Sequence, residues 1–250
     1  MSNSTANLIE LFSSIQGEGS QIGLRQVFIR FFGCNLSCEY CDTNVGVDAG
    51  LCRIEQTPGR ADFKEIANPV DMNLVLSHLQ GWVQEWPKVH HSISLTGGEP
   101  LLHLDTLHRW LPELRLILPV HLETNGVLHF ALSRVISDID YISMDIKLPS
   151  SSGEIDLWEH HRQFLEVAVQ AEVSVKIVVN STTELWEIER TAGMIAAVDC
   201  NIPLIIQPET ADDLSIRIST LSLLELQEVA SLILPDVRII PQTHRFIGLL

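Results

Sequence analysis

The chain has 250 residues, 46% of them hydrophobic, and a formal net charge of −16 at neutral pH. That apolar content suffices for one sizeable core, and so acidic a balance argues against gripping a nucleic-acid backbone, which takes clustered Lys and Arg. No apolar run is long enough to span a bilayer and the first residues lack a basic-then-apolar leader pattern, so a cytoplasmic protein without membrane attachment is expected.

Along the chain, β-rich runs alternate with amphipathic stretches. The pattern predicts strands over 27–32, 92–95, 120–123, 141–145, 173–179 and 204–207. Apolar spacing of three and four predicts helices over 72–86, where Leu76, Leu79 and Val83 recur, and over 104–118, 157–170, 184–198 and 221–234. A short strand is expected at 237–240. Asp71 and Thr183 stand where helix N-caps belong. Strand–helix alternation implies a parallel sheet with right-handed crossovers. About six such units are too few for a closed eight-unit barrel, so an open, partial (β/α)6-type TIM-like barrel in a single domain spanning 1–250 is expected. In such folds function gathers at the C-terminal ends of the strands. Gly33 and Cys34, residues 96–100, residues 124–126, Lys147, Asn180 and Gln207 all fall there. Residues 44–69 break the rhythm with Gly, Pro and mixed charge, and read as a long loop or insertion beside the site.

Five cysteines are present: Cys34, Cys38, Cys41, Cys52 and Cys200. The odd number and the clustering of three argue against a disulfide framework. The run Cys34-Asn-Leu-Ser-Cys38-Glu-Tyr-Cys41 could wrap one face of an iron–sulfur cubane and leave one iron without a protein ligand. The alternative is a structural zinc site, closed by Cys52 or a histidine as fourth ligand. Outside such a site, Cys52 and Cys200 read as ordinary thiols.

This run resembles the CxxxCxxC signature of radical S-adenosylmethionine (SAM) enzymes, and Thr96-Gly97-Gly98-Glu99-Pro100, after the second predicted strand, resembles their GGEP segment. The N-terminal Ser13-Ser14-Ile15-Gln16-Gly17-Glu18-Gly19 resembles the SxQGEG segment of the 7-carboxy-7-deazaguanine synthase family. Further resemblances follow in order: residues 27–30, 33–36, Cys41-Asp42-Thr43, Glu123-Thr124-Asn125-Gly126, Gln207-Pro208 and Pro241-Gln242-Thr243-His244.

The resemblance implies a radical SAM lyase of queuosine and 7-deazapurine biosynthesis that contracts the ring of 6-carboxy-5,6,7,8-tetrahydropterin to 7-carboxy-7-deazaguanine with loss of ammonia. It implies a [4Fe–4S] cluster on Cys34, Cys38 and Cys41, and Mg²⁺ on Thr43, whose hydroxyl is a hard oxygen ligand. Substrate contacts would come from Ile15, Gln16, Gly17, Arg30, Thr96 and Gln207, with the Arg30 guanidinium suited to a carboxylate. SAM contacts would come from Tyr40, Asp42, Gly98, Glu99, Asp145, Lys147 and Asn180. It also implies a homodimer served by an electron donor such as flavodoxin. One departure is Asp145-Ile146-Lys147, where many family members carry Ser-Pro-Lys. This triplet resembles glycyl-radical enzyme activases, the rival within the superfamily; a zinc-stabilised binding module is the rival outside it.

Overall fold

The computed structural model describes residues 4–41, 50–154 and 157–249. In chain order the elements are β1 (Thr5–Ala6), β2 (Leu8–Ile15), β3 (Arg25–Phe31), β4 (Leu51–Glu55), β5 (Phe63–Ala67), β6 (Val70–Asp71), α1 (Met72–Glu85), β7 (Ser92–Gly97), α2 (Leu104–Arg115), β8 (Val120–Thr124), α3 (His129–Ser133), β9 (Tyr141–Asp145), α4 (Pro149–Ser152), α5 (Trp158–Ala168), β10 (Glu172–Val179), α6 (Leu185–Asp199), β11 (Leu204–Pro208), α7 (Thr220–Ser231), β12 (Val237–Ile239) and α8 (Thr243–Ile247).

Ten strands form one sheet in the order β12-β11-β10-β9-β8-β7-β3-β2-β4-β5. From β3 to β12 every neighbouring pair is parallel. The inner strands are β-branched and aromatic and are buried on both faces, as a helix-covered parallel sheet requires. β5 and β12 are its two edges, so the expected open, unclosed architecture is what the described residues form. The predicted strands correspond to β3, β7, β8, β9, β10, β11 and β12, and the predicted helices to α1, α2, α5, α6 and α7.

Several boundaries differ. α2 ends at Arg115 because the N–H groups of Ile117 and Leu118 both turn back onto the Leu114 carbonyl. Asp71 caps α1 as expected, its carboxylate accepting from Asn73 N at 2.8 Å. At α6 the cap is Glu184, in a capping box with Glu187. The Thr183 hydroxyl accepts from Asn180 N instead.

Two larger differences lie outside the parallel half. β2, absent from the expected elements, runs antiparallel to β3 and carries the chain into the QGEG segment. Residues 44–69, expected as a loop, contain the β4–β5 hairpin, which joins the sheet through β2. Cys52 and Ile54 point into the core from β4 while Leu51 and Arg53 lie on its other, more open face. The hairpin turn is held by acids: Glu55 accepts from the N–H groups of Arg60 and Ala61, and Asp62 from those of Gln56 and Thr57. Strands of five residues separated by Pro58 and Gly59 are too short to announce themselves by alternation.

Candidate active site

At the C-terminal ends of the parallel strands lies a cavity of about 1010 Å³. One wall is the loop after β3. It carries Cys34, Cys38, Tyr40 and Cys41 into the cavity and is backed by Gly97 and Gly98 after β7. The two segments are pressed together: Glu99 N donates to Gly33 O at 2.8 Å, and a Cβ on Gly98 would fall 1.9 Å from that carbonyl oxygen. Only glycine permits this approach. Asn125, after β8, donates to Asn35 Oδ1 at 2.9 Å and reaches Cys34 Sγ at 3.8 Å. Burial pushes the Cys38 thiol up to about 11.

A second wall, which meets the first where Lys147 Nζ lies 5.3 Å from the Tyr40 ring centroid, is ionic. Burial alone would raise the Glu18 carboxyl, but the Lys176 ammonium, which donates to it, holds it at about 2. Lys176 also lies 3.4 Å from Asp145, and Asp145 lies 2.9 Å from Lys147. The result is an alternating row, Glu18–Lys176–Asp145–Lys147. Burial lowers both lysines, yet the acids beside them keep them charged, well above the ordinary range. The C-terminal segment docks on the same wall. Gln242 donates to Glu18 at 2.8 Å, Thr243 donates to Gly17 O through both N and Oγ1, and a Cβ on Gly17 would strike the His244 ring. His161 and His121, behind the strands, are both lowered to about 4, mainly by burial, and accept or donate as neutral rings to Lys147 N, Gly126 O, Gln26 and Ser143.

The expected site residues divide into three groups. Ile15, Gln16, Gly17, Arg30, Cys34, Cys38, Tyr40, Cys41, Thr96, Gly98, Asp145, Lys147 and Gln207 all line the cavity. Within this group the Gln16 side chain is committed to the protein, donating to Gln26 and Glu123 and accepting from Glu18 N. Thr96 donates to Glu123 at 3.3 Å. Asp42 and Thr43 lie outside the described residues. Glu99 and Asn180 are turned elsewhere. Glu99 is fully buried and its carboxylate accepts from Leu101 N, Asn125 N and the Thr124 hydroxyl. It braces the GGEP turn against the end of β8 rather than facing a ligand. Asn180 donates to Glu209 and accepts from Thr182, shaping the turn after β10.

Sequence reasoning missed Lys176, Glu18 and Glu10 as site groups. The available signal was a charge set among apolar strand residues: Lys176 between Val175 and Ile177 in β10, and Glu10 between Ile9 and Leu11 in β2.

Residues 28–183 match the family described as the Radical SAM superfamily. Over 99% of both chains the sequence is 58% identical to a protein of Geobacter sulfurreducens named 7-carboxy-7-deazaguanine synthase. The chain belongs to this family of radical SAM enzymes. A protein of the same name from Methanothermobacter thermautotrophicus is 35% identical over 98% of both chains. The fold also matches the crystal structure of QueE from Escherichia coli, with TM-score 0.53 and 18% identity over 98% of this chain and 96% of that one.

The residues present suit the two groups that radical SAM enzymes use, a [4Fe–4S] cluster and SAM. Three thiols from one loop share a cavity wall. Among the described residues no three His, Cys, Asp or Glu side chains converge tightly enough to hold a metal ion, so the sulfurs stand on that wall without being drawn to one point. Four buried polar atoms on cavity-lining residues have no partner among the described residues: the Tyr40 hydroxyl, Asp145 Oδ1, Gln207 Oε1 and the Thr210 hydroxyl. Groups of this kind call for a polar occupant. Cys52, a possible fourth zinc ligand by sequence, is buried in β4 away from the cavity, its thiol pushed by burial up to about 12. Among the described residues no helix is long and apolar enough to cross a membrane.

Proposed function

We infer that the enzyme converts 6-carboxy-5,6,7,8-tetrahydropterin to 7-carboxy-7-deazaguanine with loss of ammonia, a step of queuosine-type 7-deazapurine biosynthesis. The observation that carries this reading is the meeting, in one cavity, of the three-cysteine loop with the QGEG wall, in a chain 58% identical along its length to a protein named for that reaction. A [4Fe–4S] cluster held by the three cysteines would supply the electron for reductive cleavage of SAM.

The chain's own residues do the rest. Cys34, Cys38 and Cys41 hold the cluster. Tyr40, Gly98, Asp145 and Lys147 hold SAM across the cavity floor, joined by Asp42. Arg30 takes the substrate carboxylate, since its one ion pair among the described residues is from Nε to Glu10 at 3.5 Å, and a guanidinium pairs with a carboxylate in bidentate fashion. Backbone groups of Ile15, Gln16 and Gly17, with Thr96 and Gln207, read the heterocycle. The ionic wall needs no reorganisation when substrate arrives, which is where preorganised electrostatics act most strongly. Thr43 would hold Mg²⁺, a hard cation suited to hydroxyl and carboxylate oxygens. The enzyme works in the cytoplasm as a homodimer and draws electrons from a flavodoxin-like donor.

The test is one anaerobic turnover with reconstituted enzyme, SAM, Mg²⁺, a reductant and the carboxypterin. Ammonia and 7-carboxy-7-deazaguanine in equal amounts are expected. SAM cleavage without pterin turnover, or tight stoichiometric zinc in place of iron, would overturn the assignment.

A further inference from the structure

The β4–β5 hairpin has no role in the reading above, yet it delivers one residue to the cavity: Arg53. The strand register shows why. Glu10 of β2 sits opposite Arg30 on β3 and opposite Arg53 on β4. The three side chains therefore form a row across adjacent strands, cation–acid–cation, with the two arginine backbones about 10 Å apart from the strand spacing. Glu10 Oε1 accepts from Arg53 at 2.8 Å, and Glu10 Oε2 lies 3.5 Å from Arg30 Nε. Each guanidinium is also held on an aromatic ring, Arg53 at 4.3 Å from the Phe63 centroid and Arg30 at 5.6 Å from that of Phe12. Stacking and a shared acid fix both forks before any ligand arrives.

Charge completes the argument. Glu65 of β5 stands opposite Arg53 in register, but no ion pair joins the two among the described residues, so the three side chains in contact, two guanidiniums on one carboxylate, carry one positive charge at the cavity wall in a chain whose overall charge is −16. Arg53 uses one of its five donors on Glu10 and keeps nearly half of its side-chain surface open. An arrangement with a surplus cation and spare, oriented donors suits a second carboxylate.

We propose that Arg53 is a substrate-binding residue, supplied by the hairpin, that grips the substrate's carboxylate together with Arg30. This rests on the carboxypterin assignment above. The hairpin then selects for the acid substituent of the pterin and gives that segment a purpose beyond extending the sheet.

Equilibrium binding tests it. Reconstituted, SAM-loaded enzyme is titrated anaerobically by calorimetry with 6-carboxytetrahydropterin and, separately, with tetrahydropterin lacking the carboxylate. Arg53→Ala is expected to bind the carboxylated pterin about tenfold more weakly, the loss typical of a half-exposed charged hydrogen bond. Its affinity for the other pterin should not change. Arg53→Lys keeps the charge without the fork or the stacking, so it should fall between; it also carries the test if Arg53→Ala does not fold by circular dichroism. Unchanged affinity for the carboxylated pterin would overturn the proposal, and so would an equal loss for both pterins, which marks a structural role. A wild-type enzyme that binds neither pterin overturns the substrate assignment, and this proposal falls with it.

Discussion

The two walls of the cavity are built on opposite plans. The QGEG wall is finished by the protein: Glu18, Lys176, Asp145 and Lys147 neutralise one another in a row, and residues 242–244 seal it from behind. The cysteine wall is lightly held. Cys34 touches Leu36 N and Asn125, Cys41 is exposed, and what is rigid there is the backbone seam between Gly33 and Gly98. Under the proposed function, the contrast fits a division of labour in which the chain presents a preorganised surface to SAM and substrate while the cysteine wall is left for the cluster to organise.

Substitutions can break this contrast. Cys38→Ala should have the largest effect on function: turnover and 5′-deoxyadenosine formation fall to background and reconstituted iron drops, while the melting temperature changes little because the wall has few protein contacts to lose. A large drop in melting temperature would contradict the contrast. Lys176→Met strikes the other wall and leaves Glu18 and Asp145 facing each other without their shared cation. Breaking a largely buried ion pair one-sidedly should cost about 2–4 kcal/mol, discounted for partial exposure, read from urea unfolding.

Glu99→Gln sharpens the seam between the walls. Burial holds this carboxyl up at about 7, against 4.5 ordinarily. Between those values the folded chain keeps a proton that the unfolded chain has released. Its contribution to stability therefore falls as pH rises through the window, by up to about 1.4 kcal/mol per pH unit. Unfolding measured from pH 4.5 to 7 should show wild type losing stability relative to Glu99→Gln; parallel profiles would remove Glu99's burial penalty. The smallest effect belongs to Cys200→Ser, an exposed thiol beyond α6, which should leave iron content and melting temperature at wild-type values.

Much of this was legible in the sequence. The parallel strands announced themselves as β-branched runs, and the cysteine spacing with GGEP placed one wall. The other wall was half legible. QGEG stood out as a motif, but its ionic partner, Lys176, lies about 160 residues away and meets Glu18 only through sheet order. Glu99 misled because a motif gives a residue type and not the direction of its side chain: an acid beside two glycines suggests an ammonium partner, whereas Thr124 and Asn125 reach it first. The β4–β5 strands were hidden by their brevity, and Arg53 with them.

The pairing of Gln242 with Glu18 and of Thr243 with Gly17 ties together residues 224 and 226 positions apart. The chain must therefore be made as far as Thr243 before this wall can set, and such distant closure is slow. Chains terminated before Gln242 would carry the cysteine loop and lack the backing of QGEG.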